Sequence, residues 1–151
     1  MTFHHLMLFL HLIGVVVWVG GMAFAYLCLR PAAVELPPAL RLGLWARVFT
    51  NFFPLVWGAI VLLFFSGVAM LLEVGFKQAP VAWHLMLVTG LIMSGVFASL
   101  WFGPWRTMKQ AVCGEDWARA AVALNLIRQR VGFNLVLGAI TIAIASLGLA
   151  W

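Results

Sequence analysis

Long unbroken apolar runs dominate the pattern along the chain, at about residues 3–29, 51–72, 81–102 and 131–151. Each can cross a hydrocarbon core of about 30 Å, which takes roughly 20 helical residues. None shows the strict alternation of a barrel strand, and in lipid every backbone N–H must be bonded within its own segment or in a closed barrel, so the runs predict helices. The fold expected is an all-α integral membrane protein, with residues 1–151 forming one domain of four transmembrane helices in an up-down bundle. Between the runs, "PPALRLGLWARVFTNFF" carries apolar and basic residues at helical spacing, with Pro37 and Pro38 near its start. "GEDWARAAVALNLIRQRVGF" reads as a helix running straight into the fourth span, with Glu115 and Asp116 at its positive N-terminal end. "EVGFKQAP" is a short loop between spans two and three. The first run is too long for a cleavable signal peptide, and it lacks a basic start and a small-residue cleavage site.

Composition sharpens this picture. Hydrophobic residues make up 66% of the chain and charged ones 9%, more apolar surface than a soluble domain of this size can hide. The bilayer is therefore an expected partner. The net charge of +5 is unevenly placed. Arg30, Arg41 and Arg47 lie between spans one and two; Arg106, Lys109, Arg119, Arg128 and Arg130 lie between spans three and four; Lys77 stands alone on the other side. By the positive-inside rule both basic links face the cytoplasm and both termini the periplasm. The charge thus reports topology, not a nucleic-acid footprint. Arg128 and Arg130 are expected to anchor the fourth span at headgroup level. Cys28 and Cys113 share no metal-type spacing and read as free thiols. Trp45, Trp83, Trp101 and Trp105 are expected at the membrane interfaces, as an aromatic belt.

The halves resemble each other weakly. "HLML" at His5 recurs at His84, "GAI" at Gly58 recurs at Gly138, and Ser66 matches Ser146. Taken as a repeat, each half is a two-helix hairpin, and the two are inserted in the same sense about an axis along the membrane normal. Chance recurrence in Leu-rich sequence is the competing reading.

Candidate chemistry lies in the histidines. His4, His5, His11 and His84 all fall in the outer half of the expected bundle. His4 and His11, seven residues apart, lie within about 20° of one helix face, with Met7 between them. His5 points elsewhere, at the height His84 would share under the repeat. Ionisable groups in a membrane are costly and face the bundle interior or water. Interhelical hydrogen bonding explains His11 blandly, and an interfacial position explains His4, His5 and His84. The sharper readings are haem and copper, since imidazole serves both. A bis-histidine haem needs rings from different helices, hence His84 with His11 or His5, and Gly14, Gly20, Gly21, Gly90 and Gly95 would leave room for the macrocycle. Copper would use the stripe of His4, Met7 and His11, with His84 and Met86 from the third span, because soft thioether and imidazole suit Cu(I).

"HLIGVVVWVGGMAFAYLCLRPAA", starting at His11, resembles the opening of the bacterial copper-resistance protein D (CopD) family of small inner-membrane proteins. "WHLMLVTGLIMSGVFASLWFGPWRTMKQAV" and "ALNLIRQRVGFNLVLGAITIAIA" resemble its short single-domain members. The resemblance implies the bacterial inner membrane, copper handling, and functional histidines at His11 and His84. The layout also resembles membrane b-type cytochromes and, more loosely, haem-containing protoporphyrinogen oxidases of the HemJ type. Because no Met- or His-rich outer loop is present to collect copper, the leading expectation is b-type haem (heme b) held by His84 with His11 or His5. The protein would then be a membrane oxidoreductase or electron-transfer protein, served by a quinone or a periplasmic carrier. The alternatives are copper binding or transport, and a cofactor-free subunit or assembly factor of a larger complex or homo-oligomer. The carboxylates Glu35, Glu73, Glu115 and Asp116 lie outside the spans or at their ends, so no hydrolytic dyad is expected.

Overall fold

A computed structural model of the chain describes residues 3–147, and among these it is helical throughout, without a strand. Helix α1 spans Phe3–Val34, α2 Pro38–Val74, α3 Val81–Phe102, α4 Pro104–Cys113 and α5 Trp117–Ser146. Four helical segments are long and apolar enough to cross a membrane, with α3 and α4 forming one of them. The protein is thus an all-α, multi-pass membrane bundle. The apolar runs mark only the middle of longer helices. The basic stretch after Pro37 is the first part of α2, and the stretch after Asp116 is the first part of α5. Asp116 caps α5, its Oδ1 accepting from the Arg119 N–H at 3.0 Å, as expected of an acid at that end.

Local chemistry sets the breaks. Pro38 opens α2 after an extended Pro37, and Pro is tolerated in a first helical turn because its missing N–H is not needed there. Gly75 ends α2 with φ +92°, a conformation that suits glycine. Gly103 separates α3 from α4. A Cβ there would sit 2.8 Å from the Ser99 carbonyl, so a break this close can be made only at glycine. Arg130 Nη1 caps the freed end by donating to Ser99 O at 2.7 Å. Within α1, two π-helical turns (Val16–Gly20 and Ala25–Leu29) re-aim the side chains that follow.

α1 packs along α2, and α3 packs along α5. An aromatic cluster joins these two hairpins. Phe53 stacks on Phe49 with centroids 4.8 Å apart and meets Phe97 at 5.5 Å and Trp105 at 5.2 Å, edge to face. Trp45 and Trp105 belong to this core and are buried. The belt expected of them is therefore corrected: α2 and α4 turn these rings inward, where aromatic partners replace the interface. Trp83 and Trp101 are half-buried. Outside, Phe9, Leu27, Val61 and Leu72 are bare, as side chains facing lipid should be.

Candidate functional site at the histidine end

The first hairpin is held in one antiparallel register. His4 meets Glu73, His11 meets Ser66, and Leu63 fills the space over Gly14. Gly14 is needed there, since a Cβ would come within 2.7 Å of Leu63. The same register puts Met7 of α1 level with Met70 of α2, and both are buried. His4, Met7 and His11 do share the face of α1 that packs on α2.

His11 is half-buried, its Nδ1 3.1 Å from Ser66 Oγ. Ser66 is fully buried, and its Oγ lies 2.6 Å from Leu62 O and 3.3 Å from Leu63 O. A hydroxyl has one proton. An O···O separation of 2.6 Å without a proton would be repulsive, so Ser66 donates to Leu62 O. Ser66 Oγ must then accept from His11 Nδ1–H. The network assigns His11 the Nδ1–H tautomer and leaves the Nε2 lone pair free to accept or to ligate. Gly67 makes the ring's place, because a Cβ there would stand 3.2 Å from His11 Cε1.

His4 Nδ1 lies 3.0 Å from Glu73 Oε2, and its ring stacks on Trp83 of α3 with centroids 6.3 Å apart. This contact ties the histidine ends of the two hairpins together. His5 is exposed and meets the His4 ring edge-on at 6.4 Å. His84 is engaged elsewhere, with Nε2 3.0 Å from Phe76 O and Nδ1 3.2 Å from Pro80 O. Phe76 packs edge-on against the same ring at 4.7 Å. Both His84 nitrogens thus face carbonyls, which only accept, and the ring fastens the α2–α3 loop to the start of α3. Met86 is half-buried on α3, where its carbonyl accepts from Thr89.

Of the residues singled out in the sequence, the fold therefore brings together His4, Met7 and His11. Among the described residues, no hydrogen bond or ring contact joins His84 or Met86 to His11 or Met7. Nor do three or more His, Cys, Asp or Glu side chains there gather as a metal-holding group. Of the glycines expected to leave space for a macrocycle, Gly14 faces Leu63 and Gly21 faces Phe52 closely, Gly90 has Phe64 at ordinary contact distance, and Gly20 and Gly95 face open surroundings. Ser66, Gly67, Met70 and Glu73 carry no signal in the local sequence. They are identified only by standing opposite the α1 stripe.

Fold and seam together define a multi-pass membrane protein with a few polar and thioether groups enclosed between its first two helices. The family model for copper resistance protein D matches residues 46–147, more than half of the chain. The chain belongs to the CopD family. That match begins in α2, so the His11 stretch that prompted the resemblance lies before it. No curated protein and no solved structure matches the chain.

Proposed function

We propose that this protein handles copper at the bacterial inner membrane, with Cu(I) as cargo in the seam between α1 and α2. The observation that carries this reading is the register that sets Met7 level with Met70, between His11 on one side and His4 on the other. Two thioethers and an imidazole are a soft donor set of the kind Cu(I) accepts. Ser66 orients His11 so that Nε2 is the ligating atom. His4, at the outer end, is the first imidazole an arriving ion would meet, and Glu73 draws a cation toward it. The family's description as a copper-resistance protein supports the same cargo.

The test is anaerobic Cu(I) loading of the purified protein, followed by elemental analysis and X-ray absorption at the copper edge. Sulfur and nitrogen neighbours are expected in the wild type, and no sulfur in the Met7→Leu/Met70→Leu double variant. Copper with oxygen neighbours only, or unchanged spectra in the double variant, would refute the seam.

Haem is a second reading because the free Nε2 of His11 would equally serve iron. His84 would first have to release the Phe76 carbonyl. Neither of two clefts between the helices, one beside Arg130 and one beside Arg128, is lined by a histidine. A Soret band in the purified protein, lost in His11→Ala, would favour haem over copper. Both readings put the histidine end in the periplasm, which the eight Lys/Arg in the two links at the opposite end support. A reporter fused after Trp151 should then be active only when it reads the periplasm.

A further inference from the structure

The opposite end of the bundle carries a cluster of cations with no ion pair among the described residues. Arg128 of α5 lies over the Trp45 ring of α2, with its guanidinium carbon 5.7 Å from the ring centroid. Its Nε and Nη2 are buried and donate to nothing, and Trp45 Nε1 is likewise buried without an acceptor. Arg30 and Tyr26 line the same cleft as Arg128, and the charge of Arg41 acts on Arg128 as well. Arg30 in turn stands over the Tyr26 ring at 4.9 Å. Two guanidinium groups thus border one cleft within the field of a third, and among the described residues no carboxylate pairs with any of them. Buried donors without an acceptor and like charges without a partner are both destabilising. Such an arrangement is explained by an acceptor that carries negative charge.

The shape of the place narrows the choice. A cleft lined by Tyr26, Arg30, Trp45, Phe49, Ile127 and Arg128 has about 20 Å³ of room. That is enough for one water-sized oxygen, while the bulk of any larger ligand must stay outside, among the other arginines. We propose that this cleft binds a phosphate group: one oxygen enters to accept from Arg128 and Trp45, and the remaining oxygens lie at the mouth with Arg30, in the field of Arg41. The guanidinium fork matches phosphate oxygens in pairs. A phosphate has oxygens enough for two arginines and Trp45, whereas a carboxylate has two. A phospholipid headgroup and a free phosphoanion share this chemistry. Arg130, two residues on, takes no part, since it caps α3 at Ser99. The two arginines of "RQR" thus have separate tasks.

The test compares the wild type with Arg128→Gln, Trp45→Phe and Arg130→Gln, each purified from membranes in the same neutral detergent. Phospholipid per chain is counted by native mass spectrometry. The wild type and Arg130→Gln should retain one more phospholipid than Arg128→Gln. Each protein is then stripped of lipid and titrated with phosphatidylglycerol in micelles and, separately, with inorganic phosphate at constant ionic strength, following the thermal midpoint. Trp45→Phe should bind about tenfold more weakly than the wild type, having lost one hydrogen bond to a charged group. A response to the lipid alone assigns the site to a headgroup, and a response to both assigns it to phosphoanions at large. Equal retention and equal titration in wild type, Arg128→Gln and Trp45→Phe would overturn the proposal and leave water on the donors. So would no response to either probe. If Arg128→Gln does not fold, Trp45→Phe carries the same decision.

Discussion

The two hairpins solve one problem with different chemistry. Lipid tails are as apolar as leucine, so helices in a bilayer associate by close packing and a few interhelical hydrogen bonds. In the α3–α5 seam those bonds are ordinary fasteners. Thr141 Oγ1 and Thr89 Oγ1 share a hydrogen bond at 2.9 Å, and Asn134 Nδ2 donates to Met93 O at 3.0 Å. Each links hydroxyl to hydroxyl or amide to carbonyl; the seam also buries the Met93 thioether and leaves Asn134 Oδ1 without a partner, but among the described residues no imidazole nitrogen stands free beside them. In the α1–α2 seam, Ser66 takes one nitrogen of His11 and leaves the other free, beside two buried thioethers. Helix pairing alone would be served as well by threonine and leucine at these places. The difference teaches that a polar contact inside a membrane is not itself the mark of a site; a ligating nitrogen left free beside soft donors is.

The comparison breaks most sharply at the metal. His11→Ala combined with Met70→Leu should reduce retained Cu(I) to the level of the detergent blank, whereas Asn134→Leu in the other seam should leave it at the wild-type level. Equal loss in both proteins would mean that copper follows folding and not the seam.

Next in size is the joint between the hairpins. Phe53 is buried with Phe49, Phe97 and Trp105 around it. Phe53→Ala should cost about 3 kcal/mol through the cavity it leaves, read as lost resistance to denaturing detergent. A cost below about 1 kcal/mol would show that the hairpins hold together without this cluster.

Ser66→Ala separates orientation from packing. It removes the acceptor that fixes the His11 tautomer, and supporting groups of this kind are worth roughly 10–100-fold in metal affinity. Competitive titration against a Cu(I) chelator should show that loss with little change in stability. Ser66→Thr, which keeps the hydroxyl, should restore much of it. The smallest effect is expected from Thr141→Val, which removes one fastener worth about 0.6 kcal/mol and should not alter copper binding at all.

Much of this was legible in the residues alone. The apolar runs predict four crossings, and four helical segments long enough to cross are present among the described residues, because a bilayer demands continuous apolar helices whatever their neighbours. Seven-residue spacing put His4 and His11 on one face with Met7 between, since helical geometry is local. Asp116 could be read as a cap for the same reason. The copper-resistance resemblance was readable in the α1, α3 and α5 stretches, and the family match over 46–147 agrees with it. The Trp45 ring was misread because nearby arginines suggest an interface, while its direction depends on how α2 is rolled against α4 and α5.

What the sequence by itself determined is therefore everything that rests on period and on burial in lipid: helix number, the stripe of His4, Met7 and His11, and the basic end opposite the histidine end. What only the tertiary structure decided is which residues stand across from that stripe. Ser66, Met70 and Glu73 are more than fifty residues away along the chain. Their register against α1 is set by Gly14 receiving Leu63 and by Gly67 receiving the His11 ring. The same holds at the basic end, where Arg128 meets Trp45 while Arg130 turns to Ser99. Two arginines two residues apart on a helix point about 160° apart, and only the packed neighbours decide which of them faces a ring and which caps a helix.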